Sequence, residues 1–395
     1  MARKVRILVV GGRFMPHRIG IAADPPEIVA FIASPDTKGQ TETALASLKT
    51  LPNLKVVEPI EFVDSYDLRE ARVKCEQVTL KFPNADITFD VTSAPKVPSF
   101  AALKVAQEQN HRVIVVDSSN GKVISIEPEN AAIEFNIRLD LDQYLECFGR
   151  RAVGKFNLKN LSVTEEQAVE MARFLTRGDS IIEEALSWLR QWSQGKGKRT
   201  IGFDKTKPIL DGHFEIFKKI ETQGLISHVQ RNEANRISYQ IANDFDFKFL
   251  DGAWLEFFVF DAARSLCNDS GSAFFDDVRM NVEIPSNEEK KEIDVACLSR
   301  GRLLQFSCKT SNPFRTVHLD ELRAVSDLVG GDFATRFFVT NVLSPAMEKN
   351  DERKNFEEFQ AHARARKIVI VAGDQLRNIG DIVKKEAHHP TFRRI

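Results

Sequence analysis

Between Lys291 and Thr310 the chain reads KEIDVACLSRGRLLQFSCKT, with Asp294 in one apolar run and Lys309 in the next. IDVAC is apolar and β-branched, LLQFSCK alternates, and Ser299, Arg300 and Gly301 between them supply turn chemistry, which predicts a β-hairpin. In the second strand Gln305, Ser307 and Lys309 are two residues apart, so their side chains leave the same face of the pleat. Pairing of the two strands would bring Asp294 and Lys309 together. A carboxylate that holds Mg²⁺ or Mn²⁺, beside a lysine that orients a water or offsets phosphate charge, suits metal-assisted phosphodiester hydrolysis. Taken alone, the spacing fits an ordinary hairpin with a solvated face equally well.

The upstream element adds weight. FLDGAWLEFFVFDAARSL has apolar residues at helical spacing and carries Glu256 one turn after Gly252. A helix bearing a glutamate, followed by a hairpin bearing an aspartate and a lysine, is the order of parts in the restriction-endonuclease-like PD-(D/E)XK core. DGAWLE, EIDV, FSCKT and the GGDFA stretch at Gly330 to Ala334 resemble the nuclease half of the CRISPR-associated Card nucleases, over about Phe249 to Leu376. The resemblance implies catalytic roles for Glu256, Asp294, Ser307 and Lys309, with Glu256 and Asp294 holding Mg²⁺ or Mn²⁺. One position departs: the usual pattern has an acid two residues before the lysine, where this chain has Ser307. A hydroxyl is a weaker ligand than a carboxylate. Either Glu256 and Asp294 hold the ion with backbone carbonyl and water, or Glu292 or Glu283 contributes.

From Val5 to Ile126 short apolar runs alternate with helical patterns. VRILVV, IVAFIAS, LKVV, ITFDV and RVIVVD read as strands; 42–48, 67–80 and 98–109 read as helices, which predicts a mostly parallel sheet wrapped by helices. Ligands of such sheets bind beyond the carboxyl ends of the strands. Those ends carry Gly11-Gly12-Arg13, the Ser34-Pro35-Asp36-Thr37 turn, and Thr92-Ser93-Ala94-Pro95-Lys96 leading into a helix. Small residues, hydroxyls, amides near helix starts and two cations suit a phosphate-bearing ligand. VVGG, SPDT and DVTSAPKVPSFAAL together resemble the CARF domain, the sensor of cyclic oligoadenylates in type III CRISPR defence, over about the first 130 residues. That resemblance implies ligand contacts at Gly11, Gly12, Arg13, Ser34, Thr92, Ser93 and Lys96, to which the turn adds Thr37. Cyclic tetra-adenylate is the family expectation, although TSAPK differs from the glycine-rich form of this loop.

At 395 residues, 43% hydrophobic and 28% charged, the chain has the composition of a soluble globular protein with room for two or three cores. A formal net charge of -1 argues against a general nucleic-acid coat, although a local basic groove stays open. The run Gln194 to Arg199 reads as a solvated linker in preference to a phosphate contact. The N-terminus leads into a strand and a glycine turn, no run has membrane-spanning length, and the five cysteines are scattered. The cytoplasm is the expected compartment, with no membrane partner.

The expected architecture is α/β: a Rossmann-like CARF domain over 1–138, a helical connector over 139–245 and a restriction-endonuclease-like α/β domain over 246–395. Within the connector, FEIFKKIE, Gly224 and RISYQIA fit a small winged-helix-like element serving as a dimer scaffold. The expected function is a metal-dependent nuclease activated by a cyclic oligoadenylate shared across a homodimer, cleaving DNA, RNA or both. Two other readings compete. A HEPN ribonuclease needs R-x(4–6)-H, and none of the eight histidines has an arginine at that spacing. A ligand-gated nucleic-acid-binding regulator with an inactive nuclease fold is kept open by Ser307.

Overall fold

The structure, a computed structural model, describes residues 2–392 apart from 52–53, 57–60, 119, 131, 154–157, 178–179, 193–196, 202–209, 234, 286–289, 312, 332–333 and 343–349. It divides into two compact units, one made of Met1–Ala152 with Leu298–Arg302, the other of Val153–Cys297 with Leu303–Ile395.

In the first unit the strands are β1 (Lys4–Val9), β2 (Ile28–Ala33), β3 (Lys55–Val56), β4 (Glu61–Phe62), β5 (Asp86–Asp90), β6 (Arg112–Asp117), β7 (Lys122–Glu127) and β8 (Ile133–Glu134). They form one sheet of order β3-β2-β1-β5-β6-β7-β8, with β4 also on β2. Pairing is parallel from β3 to β6 and antiparallel for β7 and β8. Helices α1 (Met15–Ala23), α2 (Lys38–Lys49), α3 (Leu68–Leu80), α4 (Lys96–Gln109) and α5 (Leu141–Glu146) complete it. β1 and β2 are almost wholly buried, as their unbroken apolar runs require of strands covered on both faces. Separate apolar clusters, one around Ile7, Phe89 and Val105 and another around Leu8, Phe31 and Leu48, fill the two sides. The alternation of strands and helices predicts this Rossmann-like sheet. The antiparallel edge formed by β7 and β8 had no comparable signal.

The second unit begins with α6 (Glu165–Leu175) and α7 (Ser180–Trp192). Next come β9 (Gly197–Ile201), α8 (Asp211–Thr222), β10 (Ser227–Arg231) and β11 (Ile237–Ile241), with a three-stranded sheet of order β10-β11-β9. FEIFKKIE and RISYQIA predict α8 and β11, whereas β10 was not expected. The basic run behaves otherwise: Gly197, Lys198 and Arg199 lie in β9 and pair with β11 rather than serving as linker, while 194–196 fall outside the described residues.

α9 (Asp244–Lys248) runs through a π turn (Phe249–Ala253) into α10 (Trp254–Arg264). The remaining elements are β12 (Asp277–Ile284), β13 (Lys291–Ser299), β14 (Arg302–Cys308), α11 (Thr316–Val329), β15 (Thr335–Thr340), α12 (Asn350–Ala365), β16 (Ile368–Ala372) and α13 (Ile379–His388). The strands form a five-stranded sheet in sequence order, parallel from β14 to β16. One apolar cluster runs from Leu161 through Phe217, Trp254 and Phe306 to Val383, so the helices after Val153 share their core with this sheet. Of the GGDFA stretch, Gly330 ends α11, Ala334 precedes β15, and 332–333 lie outside the described residues.

Candidate active site and ligand loops

The β13–β14 hairpin closes through Arg300 at φ 51° and Gly301 at φ 71°. Two successive left-handed residues are what a two-residue type I′ turn needs, and glycine takes the second at no steric cost. The register that follows sets Asp294 beside the end of β14. Its Oδ2 accepts the backbone N–H of Cys308 at 2.7 Å and lies 3.9 Å from Lys309 Nζ. The Ser307 hydroxyl also hydrogen-bonds this carboxylate. Lys309 is fixed from the other side, its backbone N–H donating to Val339 O at 2.9 Å.

Glu256 comes from the first turn of α10, behind the buried Trp254 and Leu255. Two contacts tie that helix start to the end of β14. Thr310 Oγ1 donates to Asp251 O at 3.3 Å, and a Cβ on Gly252 would stand 3.1 Å from the same hydroxyl oxygen. Glycine at 252 therefore permits the close approach. Burial, then the charges of Asp294 and Glu292, push the Glu256 carboxyl up to about 8. Burial also raises Asp294, with Lys309 and the Cys308 amide pulling the other way. Two carboxyls that resist ionising together, next to one lysine, form a site that is short of positive charge.

That is the condition a divalent cation relieves, and hard carboxylate oxygens are the donors Mg²⁺ and Mn²⁺ accept. The residues therefore fit such an ion. Among the described residues no group of three or more His, Cys, Asp and Glu is placed to hold a metal. Neutral oxygens and water must therefore complete the shell. Of the two further acids considered from sequence, Glu283 is engaged by Lys290 at 2.9 Å, whereas Glu292 reaches the cluster through Asn281.

In the first unit Gly11, Ser34 and Thr92 follow β1, β2 and β5, which are neighbours in the sheet. Gly11-Gly12-Arg13 and Thr92-Ser93 thus lie where the strand order reverses, the expected position of a ligand crevice in a doubly wound sheet. Gly11 and Ser93 meet: the Gly11 N–H donates to Ser93 Oγ at 3.4 Å, and any Cβ on Gly11 would collide with Ser93 O. Lys96 opens α4 and is exposed, as are Gly12 and Arg13. Three of the expected contacts have other duties. Ser34 and Thr37 are buried and hydrogen-bonded to each other, the Thr37 hydroxyl donating to Ser34 O at 3.0 Å. Thr92 Oγ1 donates to Asp90 Oδ1 at 2.5 Å and accepts from the Val116 amide at 2.9 Å. These three shape the loops from within.

Sequence reasoning missed what lies beneath Ser93. His17 Nε2 is 2.7 Å from Ser93 Oγ, and His17 Nδ1 is 3.0 Å from Asp90 Oδ1, out of line for a hydrogen bond. Burial would push the Asp90 carboxyl up, but His17 and Arg6 hold it below the usual carboxylate range. Asp90 had a signal, as an acid ending an apolar strand; His17, inside a helix, had none.

A Rossmann-like unit with loops of ligand-binding type is thus followed by a mixed sheet whose hairpin, with the helix before it, gathers two acids and a lysine. Residues 243–389 match the family described as Card1-like, endonuclease domain. Over nearly the whole length the fold is similar to protein VC1899 from Vibrio cholerae, with TM-score 0.78, 16% identity, and coverage of 97% of this chain and 98% of that one. It is also similar to Can2 from Sulfobacillus thermosulfidooxidans, solved in complex with cyclic tetra-adenylate, with TM-score 0.73, 17% identity and 98% of each chain covered. A type III CRISPR defence DNA nuclease activated by cyclic oligoadenylate matches at TM-score 0.50 and 15% identity, over 86% of this chain and 45% of that one. Curated protein sequences gave no match. At these identities the structural likenesses speak to the fold.

Proposed function

We propose that this protein is a divalent-metal-dependent nuclease of type III CRISPR antiviral defence, switched on by a cyclic oligoadenylate bound to its N-terminal unit. Cyclic tetra-adenylate is the first candidate activator, being the ligand of the similar Can2 structure. One observation carries the reading: Glu256, Asp294 and Lys309 gather from a helix and two strands inside an endonuclease-family domain. Glu256 and Asp294 would hold Mg²⁺ or Mn²⁺, which when bound supplies Lewis-acid polarisation of the scissile phosphate. Lys309 would orient the attacking water or offset charge gathering on the phosphoryl oxygens. Ser307 acts on Asp294, donating to its carboxylate and helping keep it anionic. DNA, RNA or both are the substrates.

In the sensor unit the Gly12 amide, with Arg13, Ser93 and Lys96, faces the ligand, while Gly11, Ser34, Thr37 and Thr92 hold the loops in shape. A cyclic, near-symmetric ligand matches an isologous two-fold interface, so the working form is a homodimer with one ligand per two chains. Activation requires the ligand to favour one of two states of that dimer, because equal binding to both shifts nothing. Among the described residues no helix is long and apolar enough to cross a membrane, in keeping with work in the cytoplasm. The test is incubation with Mn²⁺ and labelled RNA, single-stranded DNA or plasmid, each with and without cyclic oligoadenylates of different ring size. Ligand-dependent cleavage of at least one substrate is expected; no cleavage with any combination would leave the regulator reading.

A further inference from the structure

Asn281 stands in the middle of β12 with φ 51°, in the left-handed region. Asparagine tolerates that conformation better than most residues. Met280 and Val282 on either side are buried, while the Asn281 amide ends among carboxylates. Its Nδ2 donates to Glu256 Oε2 at 3.1 Å and to Glu292 Oε1 at 3.2 Å, which uses both amide hydrogens. The flipped amide would set its oxygen against two carboxylates, so these bonds fix the orientation. The Oδ1 that remains is buried and has no hydrogen-bond partner among the described residues. A buried acceptor calls for a donor or a cation, and the carboxylates around it are acceptors when ionised.

Glu292 is two residues before Asp294 on β13, so both project from one face of the strand. This chain lacks the acid that the nuclease pattern places at 307, and Ser307 is occupied with Asp294. We propose that Asn281 is a positioning residue of the cation site: its amide ties Glu256 to Glu292, which steadies Glu256 from outside the ligand set, and its Oδ1 is left to accept from a water held by the ion. The inference rests on the metal-dependent reading of the same site and deepens it.

The experiment is calorimetric titration of the full-length protein with Mn²⁺, without nucleic acid or cyclic oligonucleotide, for wild type, Asn281→Gly and Glu292→Gln. Glycine accepts the left-handed backbone and removes only the amide, so it separates the side chain from the backbone conformation. Outer-shell partners of metal ligands typically carry about 10- to 100-fold in affinity, and both variants are expected to weaken Mn²⁺ by at least about tenfold. Wild-type affinity in both would overturn this inference while leaving the metal-dependent reading in place. No Mn²⁺ binding by the wild type would remove that reading and the inference with it. Glu292 is exposed, so Glu292→Gln gives the answer even if Asn281→Gly fails to fold.

Discussion

Asp294→Asn separates chemistry from folding in the candidate active site. The carboxylate accepts one backbone N–H at 2.7 Å and lies 3.9 Å from Lys309 Nζ. It is also the largest charge, after burial, pushing the Glu256 carboxyl up to about 8. An asparagine oxygen can still accept the Cys308 amide, and loss of the negative charge removes a repulsion. In the absence of divalent ions the two effects oppose each other, and the fold should change by no more than about 1 kcal/mol in either direction. Cleavage should respond differently, because the variant removes an anionic metal ligand. A loss of at least roughly a hundredfold in single-turnover rate is expected, equivalent to about 2.7 kcal/mol of transition-state stabilisation. The assay is cleavage at saturating Mn²⁺ and activator, run beside thermal melts and activator binding on the same preparations. A variant that folds, binds activator and cleaves within about threefold of wild type would remove Asp294 from the site.

Lys309→Ala should be equally inactive, whereas Ser307→Ala should lose much less in the same assay, since its hydroxyl acts only through Asp294. Lys96→Glu should weaken cyclic tetra-adenylate binding by about tenfold or more in calorimetry, consistent with loss of a charge-assisted contact, and unchanged affinity would make that loop purely structural. Without divalent ions, stability should depend on pH through Glu256. Its folded value of about 8 lies above the ordinary 4.5, so the folded state holds the extra proton between them. Stability present below about 4.5 is therefore lost as pH rises through 8. Urea midpoints in chelator at pH 5 and pH 8.5 should show this fall, and Glu256→Gln should reduce it; the same slope in that variant would assign it to other groups.

Much of the site was legible because its geometry is local. Period-two spacing placed Ser307 and Lys309 on one face, and Ser299-Arg300-Gly301 announced the turn that brings Asp294 to them. The glutamate on an amphipathic helix fixed the third member, and Gly252 shows why that helix start can come so close to Thr310. What stayed hidden depends on contacts between distant segments. His17 reaches Ser93 across 76 residues and Asn281 reaches Glu256 across 25, pairings that no local pattern encodes. Ser34, Thr37 and Thr92 have the chemistry for a ligand, but their hydroxyls also satisfy neighbouring polar groups, and that pairing has no local sequence pattern. The basic run 194–199 looked like a linker because glycine and lysine have low strand propensity, yet pairing with β11 draws its last residues into a sheet.

The central claim is that one chain couples a cyclic-oligonucleotide sensor to a metal-dependent nuclease. Its most direct test is the initial rate of cleavage of the best substrate in Mn²⁺ while cyclic tetra-adenylate is titrated, for wild type and Lys96→Glu in parallel. Little cleavage is expected without the activator, and a saturable rise with it. In Lys96→Glu the curve should shift to higher activator concentration and approach the same plateau. A wild-type rate that is already maximal without any cyclic oligonucleotide, or a Lys96→Glu curve that overlays the wild type, would contradict it.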